Sequence, residues 1–315
     1  MTDATNAPAE VVGLAEQRAA AKQERDFARA DEFRAQIADL GFLVTDTPDG
    51  FRLAPKPPFD VLPSLEAVAA SGPLAADARC AVVVLVDGWP DDVHACLRSV
   101  MDRSDDSIEV VALDLGNVDG AGIAIGEVAQ QFPGRIHGLH LVQTLGQVGW
   151  GKAVAAAIDA CGSPLVAVMD ISTVLDGEAF SVILEEFADP TVVGSGWRGV
   201  DVDVDDNWRS FVDSGPGEVD AVLGYLFVVR REAASATPPH PKAKFYRNAD
   251  MEWSLALREA GGRLVIPARP VPVHQDRHHG YHDSDAEYRD RESKRTYDRL
   301  LQRFRGKTSI LRPRD

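Results

Sequence analysis

The sequence predicts an α/β protein in which helices cover a largely parallel sheet. From residue 80 onward, apolar runs with the length of strands alternate with amphipathic stretches with the length of helices. The runs 81–86 and 164–169 are almost wholly apolar, as expected of buried strands. Strand–helix repeats of this length favour parallel pairing with right-handed crossovers. We therefore expect one sheet domain over residues 80–283, with ligands at the carboxyl ends of its strands.

The length and composition of the chain limit the classes of protein to which it can belong. A chain of 315 residues suggests one large and one small domain. Its 45% hydrophobic and 26% charged residues are ordinary for a globular protein. No apolar run approaches the roughly 20 residues that cross a bilayer, and the N-terminus lacks the pattern of a signal peptide. We expect a cytoplasmic protein with no transmembrane segment; peripheral contact with a membrane stays open.

Charge and cysteine content exclude two further classes. The formal net charge of −16 argues against non-specific binding to nucleic acid, which depends on neutralising phosphates. The three cysteines, Cys80, Cys96 and Cys161, lie in apolar runs without the spacing of a zinc site or a disulfide framework. We expect them to be small buried hydrophobic residues.

The first part of the chain predicts a small module over residues 1–53. Residues 13–40 are rich in Ala, Glu, Arg and Gln and predict helix, with a break near Asp26 that would give a helical hairpin. Residues 42–53 then predict two short strands around a Pro-Asp-Gly turn. The most distinctive positions are Arg18, Ala21, Lys22, Arg34, Leu40, Gly41 and the runs 26–31 and 46–50.

Over residues 14–53 this pattern resembles the C-terminal module of cysteinyl-tRNA synthetases. In the synthetases the module helps to hold the tRNA, so the resemblance implies contact with RNA. Residues 1–53 carry six Lys/Arg against ten Asp/Glu, however, and this balance is unfavourable for binding a phosphate backbone. We therefore favour packing, self-association or contact with another protein as the role of the module.

Two segments flank the sheet domain. Residues 54–79 contain five prolines and many small residues, and predict a linker with a short helix over 64–70. Residues 284–315 predict a last helix and a basic tail, with ten Lys/Arg against five acids from residue 286 onward. This excess would suit phosphates or an anionic lipid surface, and a solvated helix with i,i+4 ion pairs explains it equally well.

The second half of the sheet domain is less regular. Residues 178–189 and 248–262 predict helices, whereas residues 191–202, 221–233 and 263–274 predict strands. The stretch between them, residues 203–220, reads as an acidic loop in which Trp208 is placed to face a sugar.

Acidic residues stand at the ends of three predicted strands. Asp87, Asp114 and Asp170 each follow an apolar run. A carboxylate at this rim accepts hydrogen bonds from a base or a ribose, or binds a divalent cation. Three such positions in order predict a ligand site at this edge of the sheet.

Two motifs around these acids resemble the family-2 glycosyltransferases. In the run 111–120, Asp114, Gly116, Asp119 and Gly120 match that family's base-contacting motif, and the run 144–153 resembles its glycine-rich helix start. The resemblance implies the GT-A fold, a Rossmann-like mixed sheet, and a nucleotide-diphosphate sugar, UDP- or GDP-linked, as donor. It further implies nucleoside contacts from the first two strand ends and diphosphate contacts from the helix start. The residues concerned are Asp87, Asp114, Gly116, Gly149 and Lys152.

The third strand end aligns with the family's metal motif. Asp170-Ile171-Ser172 matches Asp-x-Asp, in which carboxylates hold Mg²⁺ or Mn²⁺, but a serine replaces the second acid. Asp176 is a candidate to compensate. The resemblance also implies that His274, at the end of a predicted strand, binds the metal. The nearby residues His278, His279, His282, Asp276 and Asp283 add to a candidate metal or phosphate site.

The run 245–253 resembles the start of the family's catalytic helix. The resemblance implies that Asp250 deprotonates the acceptor hydroxyl in an inverting transfer, while Ala249 replaces the leading acid of the motif and Glu252 keeps the later one. The alternative for Asp250 is an acid that interacts with the helix dipole.

Two hypotheses of different classes follow. The leading one is a metal-dependent, inverting glycosyltransferase with an unknown acceptor. The alternative is a non-catalytic binding or scaffold protein, in which Ser172 marks lost metal chemistry and residues 14–53 contact the partner. Association with RNA through residues 14–53 and the basic tail is a third, weaker option.

Overall fold

The computed structural model describes residues 7–47, 50–275 and 285–314. The chain divides into two compact units, residues 1–60 and residues 61–315. Within the described residues, no helix combines the length and the apolar character needed to cross a membrane.

The smaller unit is a helical hairpin followed by a strand hairpin. Its elements are α1 (Ala9–Gln23), α2 (Phe27–Asp39), β1 (Phe42–Thr47) and β2 (Gly50–Pro55). The predicted break at Asp26 is confirmed, because its side chain accepts a hydrogen bond from the Arg29 amide and caps α2. Pro48 and Asp49 of the predicted turn lie outside the described residues.

Residues that carry the resemblance to the synthetase module hold this smaller unit together. The guanidinium of Arg18 and the ammonium of Lys22 both contact the carboxylate of Asp46, at 2.8 and 2.6 Å. Arg18 is buried although it is charged, and a buried charge requires such a partner. These two cations of α1 therefore fasten the helical hairpin to β1.

The larger unit is built on an eight-stranded mixed sheet with the strand order β11-β14-β8-β13-β6-β3-β4-β5. Strands β3 to β6 are parallel, and β13 enters antiparallel between β6 and β8. The strands of the larger unit are β3 (Cys80–Val86), β4 (Ile108–Leu115), β5 (Ile136–Leu141), β6 (Leu165–Met169), β7 (Thr173–Leu175), β8 (Val192–Gly196), β9 (Gly199–Val202), β10 (Phe211–Ser214), β11 (Gly217–Glu218), β12 (Ala221–Val222), β13 (Leu226–Arg230), β14 (Arg263–Ile266) and β15 (Val273–Gln275).

The helices of the larger unit cover both faces of this sheet. They are α3 (Leu65–Ala69), α4 (Pro90–Asp102), α5 (Ala121–Ala129), α6 (Leu145–Val148), α7 (Trp150–Ala160), α8 (Ala179–Leu184), α9 (Arg231–Ala236), α10 (Ala249–Glu259) and α11 (Ala286–Phe304). Along β3, Val83 packs toward α7, whereas Val82 and Val84 pack toward α4 and α5. This alternation explains why the strand is apolar at every position. The three cysteines are free and buried, as expected.

The predicted linker contains structure of its own. The short helix expected over 64–70 is α3, which packs on α7 of the larger unit. Leu62 and Leu74 form single bridges to Leu141 and Cys161. Residues 61–79 thus belong to the larger unit.

The second half of the sheet domain differs from the expectation in two places. The single strand expected over 191–202 is two strands, β8 and β9. A Cβ atom at Gly196 would lie 2.3 Å from the carbonyl oxygen of Leu226, so only glycine fits where the chain leaves the sheet. The expectation that Trp208 faces a sugar is wrong, because its ring is buried and packs with Leu300 and Phe304.

Arginines of the basic C-terminal segment form ion pairs with acids of the larger unit. Arg299 on α11 binds Glu252 of α10 through two hydrogen bonds of 2.6 Å. Beyond the helix, Arg312 pairs with Asp201 at 2.6 Å, and Arg314 pairs with Asp220 at 2.7 Å. These cations neutralise buried carboxylates, so they are not available to an external phosphate or lipid surface.

Candidate active site

One cavity of about 770 Å³ opens at the carboxyl ends of β3 and β6. Of the residues predicted to form the site, Asp87, Asp170 and Asp250 line it. Asp87 follows β3, Asp170 follows β6, and Asp250 lies in the first turn of α10. The sheet edge and one helix start thus bring together three acids that are far apart in the sequence. A cavity of this size is typical of a site for a small organic ligand.

The first two acids influence each other. Burial, and to a smaller extent the nearby negative charge of Asp170, raises the pKa of Asp87 to about 6. One carboxylate oxygen of Asp170 accepts hydrogen bonds from the amide and the hydroxyl of Ser172. Two partly desolvated carboxylates that repel each other form an environment that a cation would stabilise.

Asp114 lies beside the cavity and does not line it. It sits within β4 directly opposite His140 of β5, and its carboxylate lies 3.0 Å from the Nδ1 atom of that ring. Its other oxygen accepts a hydrogen bond from the Asn117 amide at 2.9 Å. Asp114 is therefore buried and holds the loop after β4 in place.

That loop carries an unusual backbone. Asn117 and Asp119 have φ angles of 46° and 52°, and Gly116 has a φ of 95°. Trp89 and Asn248, on other parts of the cavity wall, are left-handed as well. Non-glycine residues in this region cost about 1–3 kcal/mol and concentrate at functional sites. Three of them line the cavity and Asn117 lies in the adjoining loop, which supports the assignment of this cavity as the functional site.

The glycine-rich start of α7 serves a different purpose from the one expected. The amides of Trp150 and Gly151 donate to the carbonyl oxygens of Lys244 and Ala243. A Cβ atom on Gly151 would lie 2.2 Å from the carbonyl oxygen of His240, so this glycine permits close approach of the 240–244 segment. These amides are already occupied and do not face a diphosphate.

Lys152 and Gly149 do not line the cavity either. Lys152 is exposed on α7, where its charge acts on Glu66 of α3. Gly149 has a φ of 88°, and a Cβ there would meet the side chain of Lys244. Lys244 itself lines the cavity and donates to the carbonyl oxygen of Gln147 at 3.2 Å. Lys244, and not Lys152, therefore contributes a positive charge to the cavity wall.

His274 is turned away from Asp170. On β15, Gln275 donates to the Ser172 hydroxyl, which in turn contacts Asp170. Because side chains alternate along a strand, His274 points to the other face and lies 2.8 Å from Asp176. Among residues 7–47, 50–275 and 285–314, no three His, Cys, Asp or Glu side chains cluster as metal ligands. The remaining predicted ligands, His278, His279, His282, Asp276 and Asp283, lie outside the described residues.

Asp250 is held firmly at the cavity wall. Its carboxylate accepts hydrogen bonds from the Gly224 amide at 2.9 Å and from the Met251 amide at 2.8 Å. A Cβ atom on Gly224 would lie 3.3 Å from the Cβ of Asp250, so the missing side chain leaves room for this contact. Burial raises the pKa of Asp250, and the two amides partly offset that effect. By contrast, both carboxylate oxygens of Glu252 accept hydrogen bonds from Arg299.

Several cavity residues were missed from the sequence. Tyr225 and Tyr246 line the wall near the acids, and burial raises the pKa of both hydroxyls. Arg247 and Trp89 complete the rim. The sequence does contain a signal for two of them, because Tyr246 and Arg247 lie in the run 245–253 together with Asp250.

Comparison with known proteins gives a family match. The family model described as glycosyl transferase family 2 matches residues 81–247, more than half of the chain. This range contains the strand-end acids Asp87, Asp114 and Asp170, together with the loop after β4 and the start of α7.

Solved structures share the fold at low sequence identity. A mannosyltransferase from Pyrobaculum calidifontis, solved with GDP-Man and Mn²⁺, has a TM-score of 0.53 at 17% identity. The match covers 79% of this chain and 74% of that one. GalNAc-T7, solved with UDP, GalNAc and Mn²⁺, has a TM-score of 0.56 at 14% identity, over 71% of this chain and 48% of the other. At such identities the likeness establishes a GT-A architecture.

Short stretches match cysteine–tRNA ligases. The ligase of Opitutus terrae is 54% identical over 48 residues, and that of Xanthomonas oryzae pv. oryzae is 49% identical over 51 residues. These stretches cover 15% and 16% of this chain. The chain spans about a tenth of the length of either ligase, so the likeness concerns one small module.

Proposed function

Since this chain belongs to glycosyl transferase family 2, we propose that it transfers a sugar from a nucleotide-diphosphate donor to an acceptor hydroxyl, with inversion at the anomeric carbon. The observation that carries the proposal is the position of Asp250. It faces the same cavity as Asp87 and Asp170, and burial raises its pKa toward the range of a useful base.

The proposed reaction requires one bond to form and one to break. The acceptor oxygen attacks the anomeric carbon of the donor sugar from the side opposite the diphosphate. The bond between that carbon and the β-phosphate oxygen breaks, and its electron pair leaves with the nucleoside diphosphate. Asp250 takes the proton of the acceptor hydroxyl, and the amides of Gly224 and Met251 hold its carboxylate in place.

The donor is proposed to lie along the carboxyl ends of β3, β4 and β6. Asp87 and the loop held by Asp114 would contact the nucleoside of a UDP- or GDP-linked sugar. Lys244 and Arg247 are the cations of the cavity wall, and they would face the phosphates. Gly116 permits the turn that carries this loop.

A divalent cation, Mn²⁺ or Mg²⁺, fits the acidic end of the cavity. Asp170 would hold it, and the cation would relieve the repulsion between the carboxylates of Asp170 and Asp87. When bound, such a cation offsets the charge that develops on the leaving diphosphate. His274 stays a predicted ligand, and its ring would have to leave Asp176 to take part.

The test is the Asp250→Asn variant. We expect turnover to fall by about 10² to 10⁴, the usual contribution of a general base, while the Kd for UDP or GDP in the presence of Mn²⁺ stays close to that of the parent protein. Calorimetry measures the binding, and mass spectrometry of acceptor panels measures the transfer. Asp91→Asn is the matched control, because Asp91 is also an acid in a first helical turn, that of α4.

The same experiment addresses the non-catalytic alternative. If both UDP and GDP fail to bind with Mn²⁺, the proposed donor site is wrong. If the donor binds and Asp250→Asn leaves turnover unchanged, the base is elsewhere. Binding without any turnover in the parent protein would favour a nucleotide-sugar-binding scaffold, the reading suggested by Ser172 in place of an acid.

A further inference from the structure

A second groove, of about 570 Å³, adjoins the cavity on its α11 side. Arg247 and Asn248 line both spaces, so the two are continuous at these residues. Asn248 precedes α10 with a left-handed backbone, and Asp250 follows two residues later. The groove therefore begins beside the proposed base.

The walls of the groove are well defined. One wall is a single face of α11, on which Asp290, Ser293, Lys294 and Tyr297 recur at helical spacing. The other wall is formed by residues 209–211. The Tyr297 hydroxyl donates to the carbonyl oxygen of Arg209 at 2.8 Å, and the side-chain amide of Asn248 donates to the carbonyl oxygen of Ser293 at 3.1 Å. The first bond joins the two walls, and the second joins α11 to Asn248, where the groove meets the cavity.

The charge of the groove is opposite to that of the cavity. Arg209, Arg247 and Lys294 line the groove against one acid, Asp290. The cavity is lined by the acids Asp87, Asp119, Asp170 and Asp250, and the whole chain carries −16. Lys294 forms an ion pair with Asp298, and Asp290 forms one with Arg289. Arg209 has no ion-pair partner among the described residues.

A buried hydroxyl in the same groove has no hydrogen-bond partner. The Oγ atom of Ser293 is buried and makes no hydrogen bond to any residue that the structure describes. Such a group costs stability unless a ligand or water satisfies it. Together with forked guanidinium donors, a serine hydroxyl suits the oxygens of a phosphate group.

We propose that this groove is the acceptor subsite and that the acceptor carries a phosphate group. Arg209 and Lys294 line the groove, and Arg247 lies where it meets the cavity, so the lining favours an anion such as a phosphate monoester, which carries a charge of about −1.5 to −2. With the phosphate between Arg209 and Lys294, the reacting hydroxyl of the acceptor reaches Asp250 past Asn248. This inference rests on the proposed function for the identity of the transferred group, but the phosphate site itself does not depend on the donor.

The first test is direct binding of inorganic phosphate to the full chain by calorimetry. We expect Arg209→Gln and Lys294→Gln each to weaken phosphate binding about tenfold, since a hydrogen bond to a charged group contributes at least that factor. The matched control is Lys242→Gln, an exposed lysine outside the groove, which leaves the Kd unchanged.

Three results would overturn the inference. They are no phosphate binding by the parent protein, equal binding by Arg209→Gln and the parent, and equally tight binding of acetate, which would assign the groove to anions without selectivity for phosphate. Circular dichroism of each variant excludes loss of the fold as the cause. None of these measurements involves a donor, so a failure of the proposed function stays distinguishable from a failure here.

The second test compares sugars with their monophosphates as acceptors, using UDP- and GDP-linked donors with Mn²⁺. We expect product from the phosphorylated acceptors, and an about tenfold higher KM for them in Lys294→Gln with an unchanged Kd for the nucleoside diphosphate. Equal turnover of the neutral sugars contradicts the proposal.

Discussion

At the scale of single residues, the cavity contains an acid, Asp87, whose ionised form lowers the stability of the fold. Asp87 ends β3 close to Asp170, and both its burial and that neighbour disfavour its ionised form. The pKa of Asp87 in the folded protein, about 6, lies above its ordinary value of 3.8. The ionised carboxylate therefore lowers stability above pH 6, and this cost disappears as the pH falls through 6 toward 4.

This cost gives a prediction for the metal-free protein. Asp87→Asn should raise the free energy of unfolding by about 2–3 kcal/mol at pH 8 and by about half as much at pH 5. Urea denaturation at both pH values measures the difference. The exposed Asp77, replaced by Asn, serves as the control. A gain that is equal at both pH values, or no gain at all, would show that burial does not destabilise the Asp87 carboxylate.

The site residues themselves were only partly predictable from the sequence. The strand ends indicated Asp87 and Asp170, and the helix start indicated Asp250, because backbone position decides that these residues reach the cavity. Side-chain direction decided the others. Asp114 turns to His140, and His274 turns to Asp176. Strand pairing sets these directions, and pairing between distant segments is not visible in local sequence.

At the scale of elements, the start of α7 shows how one pattern serves two purposes. A run of glycines before a helix is typical of phosphate binding, but here the glycines admit the 240–244 segment. Lys244 of that segment lines the cavity. Close approach of two backbones and close approach of a phosphate both require the absence of a side chain, so the sequence cannot separate them.

Gly151→Ala tests this close approach. Its Cβ would lie 2.2 Å from a backbone oxygen, and we expect a loss of about 1–3 kcal/mol in unfolding free energy from overpacking. Gly126→Ala is the matched control, because Gly126 lies inside α5 with nothing within 4 Å of its added Cβ. That variant should gain about 0.5–1 kcal/mol. Chemical denaturation of both variants decides the point, and an unaffected Gly151→Ala would contradict the close packing.

At the scale of the whole molecule, the C-terminal segment completes the larger unit. Asp201 lies on β9, Asp220 lies in the loop that precedes β12, and both side chains are buried. The cations that neutralise them, Arg312 and Arg314, come from the last residues of the chain. A basic tail that resembles a phosphate-binding arm in sequence is therefore a structural part of the fold.

Removing both cations should lower the free energy of unfolding. We expect the Arg312→Ala/Arg314→Ala double variant to lose about 3 kcal/mol, because breaking a buried pair leaves an uncompensated carboxylate. Arg305→Ala removes an exposed cation of the same segment and should change stability by less than about 0.5 kcal/mol. Thermal unfolding of the three proteins provides the measurement. Equal midpoints for the double variant and the parent would mean that the tail is dispensable.

The sequence by itself determined the α/β class, the division into a small and a large unit, and the sheet edge at which the acids gather. Local patterns suffice for these, because apolar periodicity specifies strands and helices, and parallel strands place their carboxyl ends together. Only the tertiary structure decided which way each polar side chain points. It turned Asp114 and the tail arginines inward, and it joined Arg209 to a distant helix to form the basic groove. Those outcomes depend on contacts between segments far apart in the chain, and no local pattern encodes them.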